Sequence, residues 1–155
     1  MTFRITGLSA APFRHLYGLC AAELEARGVK RYVADDTTSH TDRIEMRNAR
    51  PGEAVLLLNH VCQPADTPYR ASHAIFVVEG AEVTYESVDE IPQVMLVHLQ
   101  SLRAFDEDGM LVEADVALGE EVGPTIARLF ANPRTAYIHA HNAKQGCYAA
   151  RIDRA

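Results

Sequence analysis

Ala54-Val55-Leu56-Leu57-Leu58 and, further along, Ser72-His73-Ala74-Ile75-Phe76-Val77-Val78 decide the fold class. Each run is of strand rather than helix length, and the turn pair Pro51-Gly52 precedes the first. A strand that is apolar on both sides needs cover on both faces, so these two are expected to be neighbours at the centre of a sheet. Outward from them, Phe3 to Ile5 and Val29 to Ala34 read as further strands. So does Arg43 to Arg47, in which Ile44 and Met46 alternate with Arg43, Glu45 and Arg47. Val94 to Phe105 and Met110 to Val116 flank Asp106-Glu107-Asp108-Gly109, where glycine supplies the positive φ of a hairpin turn, which predicts an antiparallel pair.

Pro12 opens a helical turn, and Ala21 to Arg27 reads as a helix closed by Gly28. From Gly123-Pro124 to Ala131, the apolar residues Val122, Ile126, Leu129 and Phe130 share one helical face, and Asn132-Pro133 ends the segment. The expectation is a single α+β domain over residues 1–155. It has a mostly antiparallel or mixed sheet, two main helices flanking it, and a C-terminal β-hairpin.

With 155 residues, 48% of them hydrophobic, the chain can bury one sizeable core. Asp and Glu number 21 against 15 Lys and Arg, a net charge of -6 that disfavours a general nucleic-acid or anionic-membrane surface. Neither nucleic acid nor membrane is therefore an expected partner; the oligomeric state is not encoded in any pattern here. No apolar run reaches signal-peptide or membrane-spanning length, so the cytoplasm is the expected compartment. Cys20, Cys62 and Cys147 form no C-x-x-C pair, which predicts free thiols rather than a disulfide framework or a zinc knuckle.

The two last strands carry the chemistry. In Thr135 to His141, Ala136, Ile138 and Ala140 alternate with Tyr137, His139 and His141. In Cys147 to Asp153, Tyr148, Ala150 and Ile152 alternate with Cys147, Ala149 and Arg151. If Asn142 to Gly146 is the hairpin loop and both apolar faces meet one core, His141 lies opposite Cys147, His139 opposite Ala149, and Tyr137 opposite Arg151.

The stretches Leu56-Leu57-Leu58-Asn59-His60-Val61-Cys62-Gln63-Pro64-Ala65-Asp66-Thr67-Pro68-Tyr69-Arg70-Ala71-Ser72-His73 and Tyr137-Ile138-His139-Ala140-His141-Asn142-Ala143-Lys144-Gln145-Gly146-Cys147-Tyr148 resemble a small bacterial family. It is catalogued only as a domain of unknown function, number twelve hundred and three. The resemblance extends over essentially the whole chain. It implies a stand-alone bacterial domain of this length and assigns no residue a role.

Three chemistries compete at these residues. His139 and His141, two apart on a strand, can direct imidazoles at one divalent transition metal, with His73 or His60 as third ligand and Asp66 behind them. The cupin pattern fails, since Gln145 stands where its acidic ligand belongs. Cys147 beside an imidazole is a candidate nucleophile, with His139 or His141 as base and Asn142 to orient a histidine. In Pro68-Tyr69-Arg70-Ala71-Ser72-His73, Arg70 anchors an anion, with Ser72 and His73 beside it. Against these stand plainer readings: strand histidines bonded at a sheet surface, a small packing cysteine, and Arg70 paired with Asp66. His15 and His40 are expected to be solvated and His98 structural. The functional expectation is a small cytoplasmic enzyme acting on a small polar or anionic molecule through a His/Arg/Cys pocket. Its rival is a noncatalytic ligand-binding or protein-interaction domain with structural histidines.

Overall fold

A computed structural model describes all 155 residues. Its strands are β1 (Phe3–Thr6), β2 (Lys30–Val33), β3 (Thr41–Asp42), β4 (Arg47–Asn48), β5 (Ala54–Gln63), β6 (Ala71–Val78), β7 (Glu86–Val88), β8 (Gln100–Phe105), β9 (Leu111–Ala117), β10 (Tyr137–Asn142) and β11 (Tyr148–Arg154). Its helices are α1 (Ala21–Glu25), α2 (Gln93–Leu96) and α3 (Val122–Ala131). The strands form two sheets rather than one: six strands in the order β7-β1-β11-β10-β8-β9, and five in the order β2-β5-β6-β3-β4. All pairings are antiparallel except the single parallel contact of β3 with β6. No helix is long and apolar enough to cross a membrane.

The two central runs pair as expected, Leu56 with Val77 and Leu58 with Ile75. The expected Asn59 to Ala71 loop is shorter than its sequence implied, because β5 continues through His60 and Cys62 to Gln63. Only one helix exceeds two turns. In α3, Val122, Ile126, Leu129 and Phe130 are buried at the spacing of one helical face, against Leu102, Ala104, Ile138, Ala140, Ala150 and Ile152 of the six-stranded sheet. Its C-terminal carbonyls are satisfied by side chains: the Thr135 hydroxyl donates to Leu129 and the Arg154 guanidinium to Phe130. The helix expected over Ala21 to Arg27 is the short α1, and the start of the long strand expected from Val94 is instead α2.

The strand expected over Arg43 to Arg47 is a turn, and the reason is that there are two cores. Ile44 is buried in the core of the five-stranded sheet and Met46 in the core beneath α3, so alternation here marks a chain crossing between cores. Met46 takes a left-handed φ of 53° to do so. Asp42, fully buried, holds the turn: its carboxylate accepts the backbone N–H of Glu45 and, at 2.8 Å, that of Val78 in β6. Gly7 permits the approach of β1, since a Cβ there would meet the Ile44 carbonyl at 2.3 Å.

Because Leu56 is fully buried and Leu57 only partly so, Leu56→Ala is expected to cost about 2–5 kcal/mol and Leu57→Ala clearly less. Urea unfolding of the two variants measures this; equal losses would contradict the orientation of β5.

Candidate functional site

The face of β10 turned away from α3 carries His139 and His141, and the ends of β5 and β6 lie against it. Gln63 donates to the Tyr137 hydroxyl at 2.9 Å, and the His73 and His141 rings are 4.8 Å apart. On the five-stranded sheet, His60 pairs with His73 in the row that continues Leu58 with Ile75. One extra residue, Cys62, sits between the pairs Val61 with Ser72 and Gln63 with Ala71. Such a bulge re-aims side chains, and here both Cys62 and Gln63 are buried. The Cys62 sulfur, His73 and His141 each offer a donor atom, and the three atoms lie within 4.8 Å of one another.

A second bulge corrects the register expected for the last two strands. Ile138 pairs with Ile152 and Ala140 with Ala150, but His141 pairs with Tyr148, leaving Ala149 as the extra residue. His139 faces Arg151 instead of Ala149, Tyr137 faces Asp153 instead of Arg151, and His141 is not opposite Cys147. Tyr148 therefore leaves the face of Ala150 and Ile152 and enters the inter-sheet space, its ring 6.0 Å from His60, 5.4 Å from His139 and 5.7 Å from His141. His141 Nδ1 is 3.1 Å from the Gly146 carbonyl, which makes Nδ1 the protonated nitrogen and leaves Nε2 with a free lone pair.

The remaining expected site residues separate. Of the four histidines expected as metal ligands, His73 and His141 join the donor group; His60 and His139 border it without belonging to it. Arg70 is exposed and donates to the Pro64 carbonyl, so it ties its own loop; Ser72 is exposed on the same stretch. Asn142 is buried and accepts from the Gln100 amide at 3.1 Å rather than orienting a histidine. Cys147 is partly buried in the turn before β11, where its sulfur accepts from Arg43 Nη2 at 3.5 Å.

Arg43 is the candidate that alternation concealed, because it read as the wet side of a strand. It is 3% exposed, no carboxylate lies within 4.0 Å of it, and its Nε and Nη1 have no hydrogen-bond partner. Burial lowers the pKa of its guanidinium from the ordinary value. Arg43, Leu57, His73, Phe76 and Cys147 line a cavity of about 180 Å³. A larger hollow of about 500 Å³ near Asp106, Asp108 and Arg134 is lined by none of the buried histidines and no cysteine.

The imidazoles are held neutral. Burial, reinforced by the Arg151 and Arg103 charges, pushes His139 down to about 4. Burial pushes His141 down to about 3, with Arg103 adding to the effect and the Gly146 bond opposing it. Burial also lowers His60 and, together with Arg103, His73, while it raises Tyr148. The sign of the linkage follows. Below the unfolded value of about 6.5, the unfolded chain takes up protons that folded His139 and His141 refuse. Stability is therefore complete above pH 6.5 and falls as the pH drops toward 4, by about 1.4 kcal/mol per pH unit for each histidine. Thermal midpoints from pH 7.5 to 4.5 are expected to decline from 6.5 downward, and to decline less in His139→Leu; identical slopes in both proteins would contradict the burial of a neutral His139.

No curated protein and no solved structure matches the chain. The family described as "Protein of unknown function (DUF1203)" matches residues 39–154. That span starts two residues before β3, so it contains Arg43, Cys62, His73, His141 and Cys147 and omits β1, α1 and β2. Because the match takes in well over half of the chain, including the inter-sheet cluster, the chain belongs to the DUF1203 family.

Proposed function

We propose that this domain is a bacterial, cytoplasmic enzyme acting on a small anionic molecule held by Arg43, with Cys147 as its nucleophile. The observation that carries this reading is the buried Arg43 guanidinium with two unpartnered nitrogens and no salt-bridge partner. An uncompensated buried charge is costly, and a carboxylate or phosphate entering the cavity would supply both the missing charge and the missing acceptors. Each fork of the guanidinium that a carboxylate or phosphate matches, Nε with Nη2 or Nη1 with Nη2, pairs an unpartnered nitrogen with the one that holds the Cys147 sulfur. An anion bound to Arg43 is thus brought beside a thiol, and proximity is the first contribution to any reaction between them. Arg43 takes the anchoring role expected of Arg70. Free cysteines at Cys20, Cys62 and Cys147 agree with a reducing compartment.

A second reading, a noncatalytic ligand-binding or interaction domain with structural histidines, draws on His139. Its ring packs at 5.3 Å from Phe105, 5.1 Å from Tyr137 and 5.4 Å from Tyr148, as a core aromatic would.

Charge-selective alkylation separates the readings. Cys147, monitored by peptide mass spectrometry, is expected to react with iodoacetate faster relative to iodoacetamide than a model thiol does. Inorganic phosphate should slow the reaction. Arg43→Met should abolish the preference while keeping or raising the thermal midpoint, since it removes a buried unpaired charge in favour of an apolar side chain of similar length. Phosphate-induced stabilisation that needs Arg43 without any preference at Cys147 would favour the noncatalytic reading. No preference and no stabilisation would overturn anion binding altogether.

A further inference from the structure

We infer that Cys62, His73 and His141 form a mononuclear zinc-type metal site between the two sheets. The inference does not rest on the anion reading, since Arg43 and Cys147 are not among its donors. Three independent features converge on it. The donor atoms come from three strands, β5, β6 and β10, yet lie within 4.8 Å of one another in a group made of one thiol and two imidazoles. His73 Nε2 is buried without a hydrogen-bond partner, which leaves a polar atom unexplained by the protein alone. His141 makes with the Gly146 carbonyl the bond that metal-ligating histidines make through their second nitrogen, fixing the ring with its other lone pair free.

The donor chemistry selects the metal. One thiolate with two imidazoles suits Zn²⁺, at Zn–S of about 2.3 Å and Zn–N of about 2.0–2.1 Å. Tetrahedral angles at those lengths require donor separations of about 3.3–3.6 Å, so the metal would draw the present group inward by at most roughly an ångström. Cys62 now spends its thiol proton on the Ala71 carbonyl at 3.5 Å; metal binding would replace that weak bond and release the proton to water. Three protein ligands leave one tetrahedral position for water or a substrate atom, the arrangement of catalytic rather than structural zinc. The same donors occur in blue-copper sites, most of which add a distant axial thioether. No thioether is available here: Met46 and Met95 lie in the core under α3, while Met1 and Met110 are exposed.

Cobalt substitution tests the site. The protein is stripped with a chelator and titrated with Co²⁺, then with Zn²⁺. The expected result is one Co²⁺ per chain, visible bands of a tetrahedral ion together with a sulfur-to-cobalt charge-transfer band, and loss of all of them when one equivalent of Zn²⁺ is added. Cys62→Ser should abolish the charge-transfer band. His73→Ala, at a partly buried position that tolerates truncation, should weaken Co²⁺ binding by more than the roughly 10–100-fold that loss of an outer hydrogen-bond partner costs. Cys147→Ser should leave the spectrum unchanged, and far-UV circular dichroism checks that each variant is folded. Binding well below one equivalent, a spectrum without thiolate character, or a charge-transfer band that follows Cys147 instead of Cys62 would overturn the inference. Because the readout is spectral and uses no anion, its failure leaves the Arg43 reading untouched, and the reverse also holds.

Discussion

The extra residue at Ala149 is the constraint on which the site depends. Ala149 and Ala150 are consecutive, yet both belong to the core beneath α3, and this forces Tyr148 to the other side of the sheet. Regular alternation would have kept Tyr148 with Ala150 and Ile152. In its actual place the Tyr148 ring fills the gap between His60 on one sheet and His139 and His141 on the other. It joins the core of the five-stranded sheet from a strand of the six-stranded one, and so keeps solvent from the imidazoles. That displaced ring adds to the burial that holds His139 and His141 neutral.

The second determinant is the crossing turn at Asp42 to Met46. A fully buried carboxylate is expensive unless its lone pairs are used, and Asp42 uses its own on backbone N–H groups of the turn and of β6. It does not pair with the adjacent Arg43. The acid is committed to the backbone and the guanidinium is left over, pointing at Cys147 and the cavity. An Arg43 paired with a carboxylate would be a structural ion pair and nothing more. A fold that keeps an unpaired guanidinium, an unpartnered His73 Nε2 and an unpartnered His139 Nδ1 within two sheets retains local instability where one apolar substitution at each position would relieve it.

How much of this was legible in the sequence depends on whether one core or two decides a residue's place. The runs around Leu56 and Ile75 were legible as neighbouring strands from their length and apolar character. The cover expected on both faces is incomplete: Leu57 and Phe76 are partly buried and Ala74 is exposed. The face of α3 was legible because Val122, Ile126, Leu129 and Phe130 meet one core at helical spacing. Arg43 to Arg47 misled because Ile44 and Met46 are both buried, but in different cores, so alternation imitated a strand. The register of the final pair misled for a related reason: small residues such as Ala149 and Ala150 fit either face, and only long-range packing of Tyr148 chooses between them. The histidine face of β10 was legible from parity alone; the contribution of Cys62 was not, because it depends on a bulge that shifts the register between Val61 and Gln63 and that alternation does not announce.

The two cysteines on the inter-sheet space therefore have different physical characters. Cys62 is buried on β5, burial raises its thiol pKa, and it has imidazole donors as neighbours, conditions under which a thiol stays protonated until a metal displaces the proton. Cys147 is partly exposed, in the turn before β11, with a guanidinium rather than an imidazole beside it. His73 borders both settings, as a donor beside Cys62 and as a wall of the cavity that Arg43 and Cys147 line. A metal on His73 and an anion on Arg43 would consequently act on a shared side chain, and any energetic effect of one on the binding of the other must be returned in equal measure. Opposite charges on two sides of one shared side chain, partly withdrawn from water, attract more strongly than they would in bulk water, so that mutual effect is favourable.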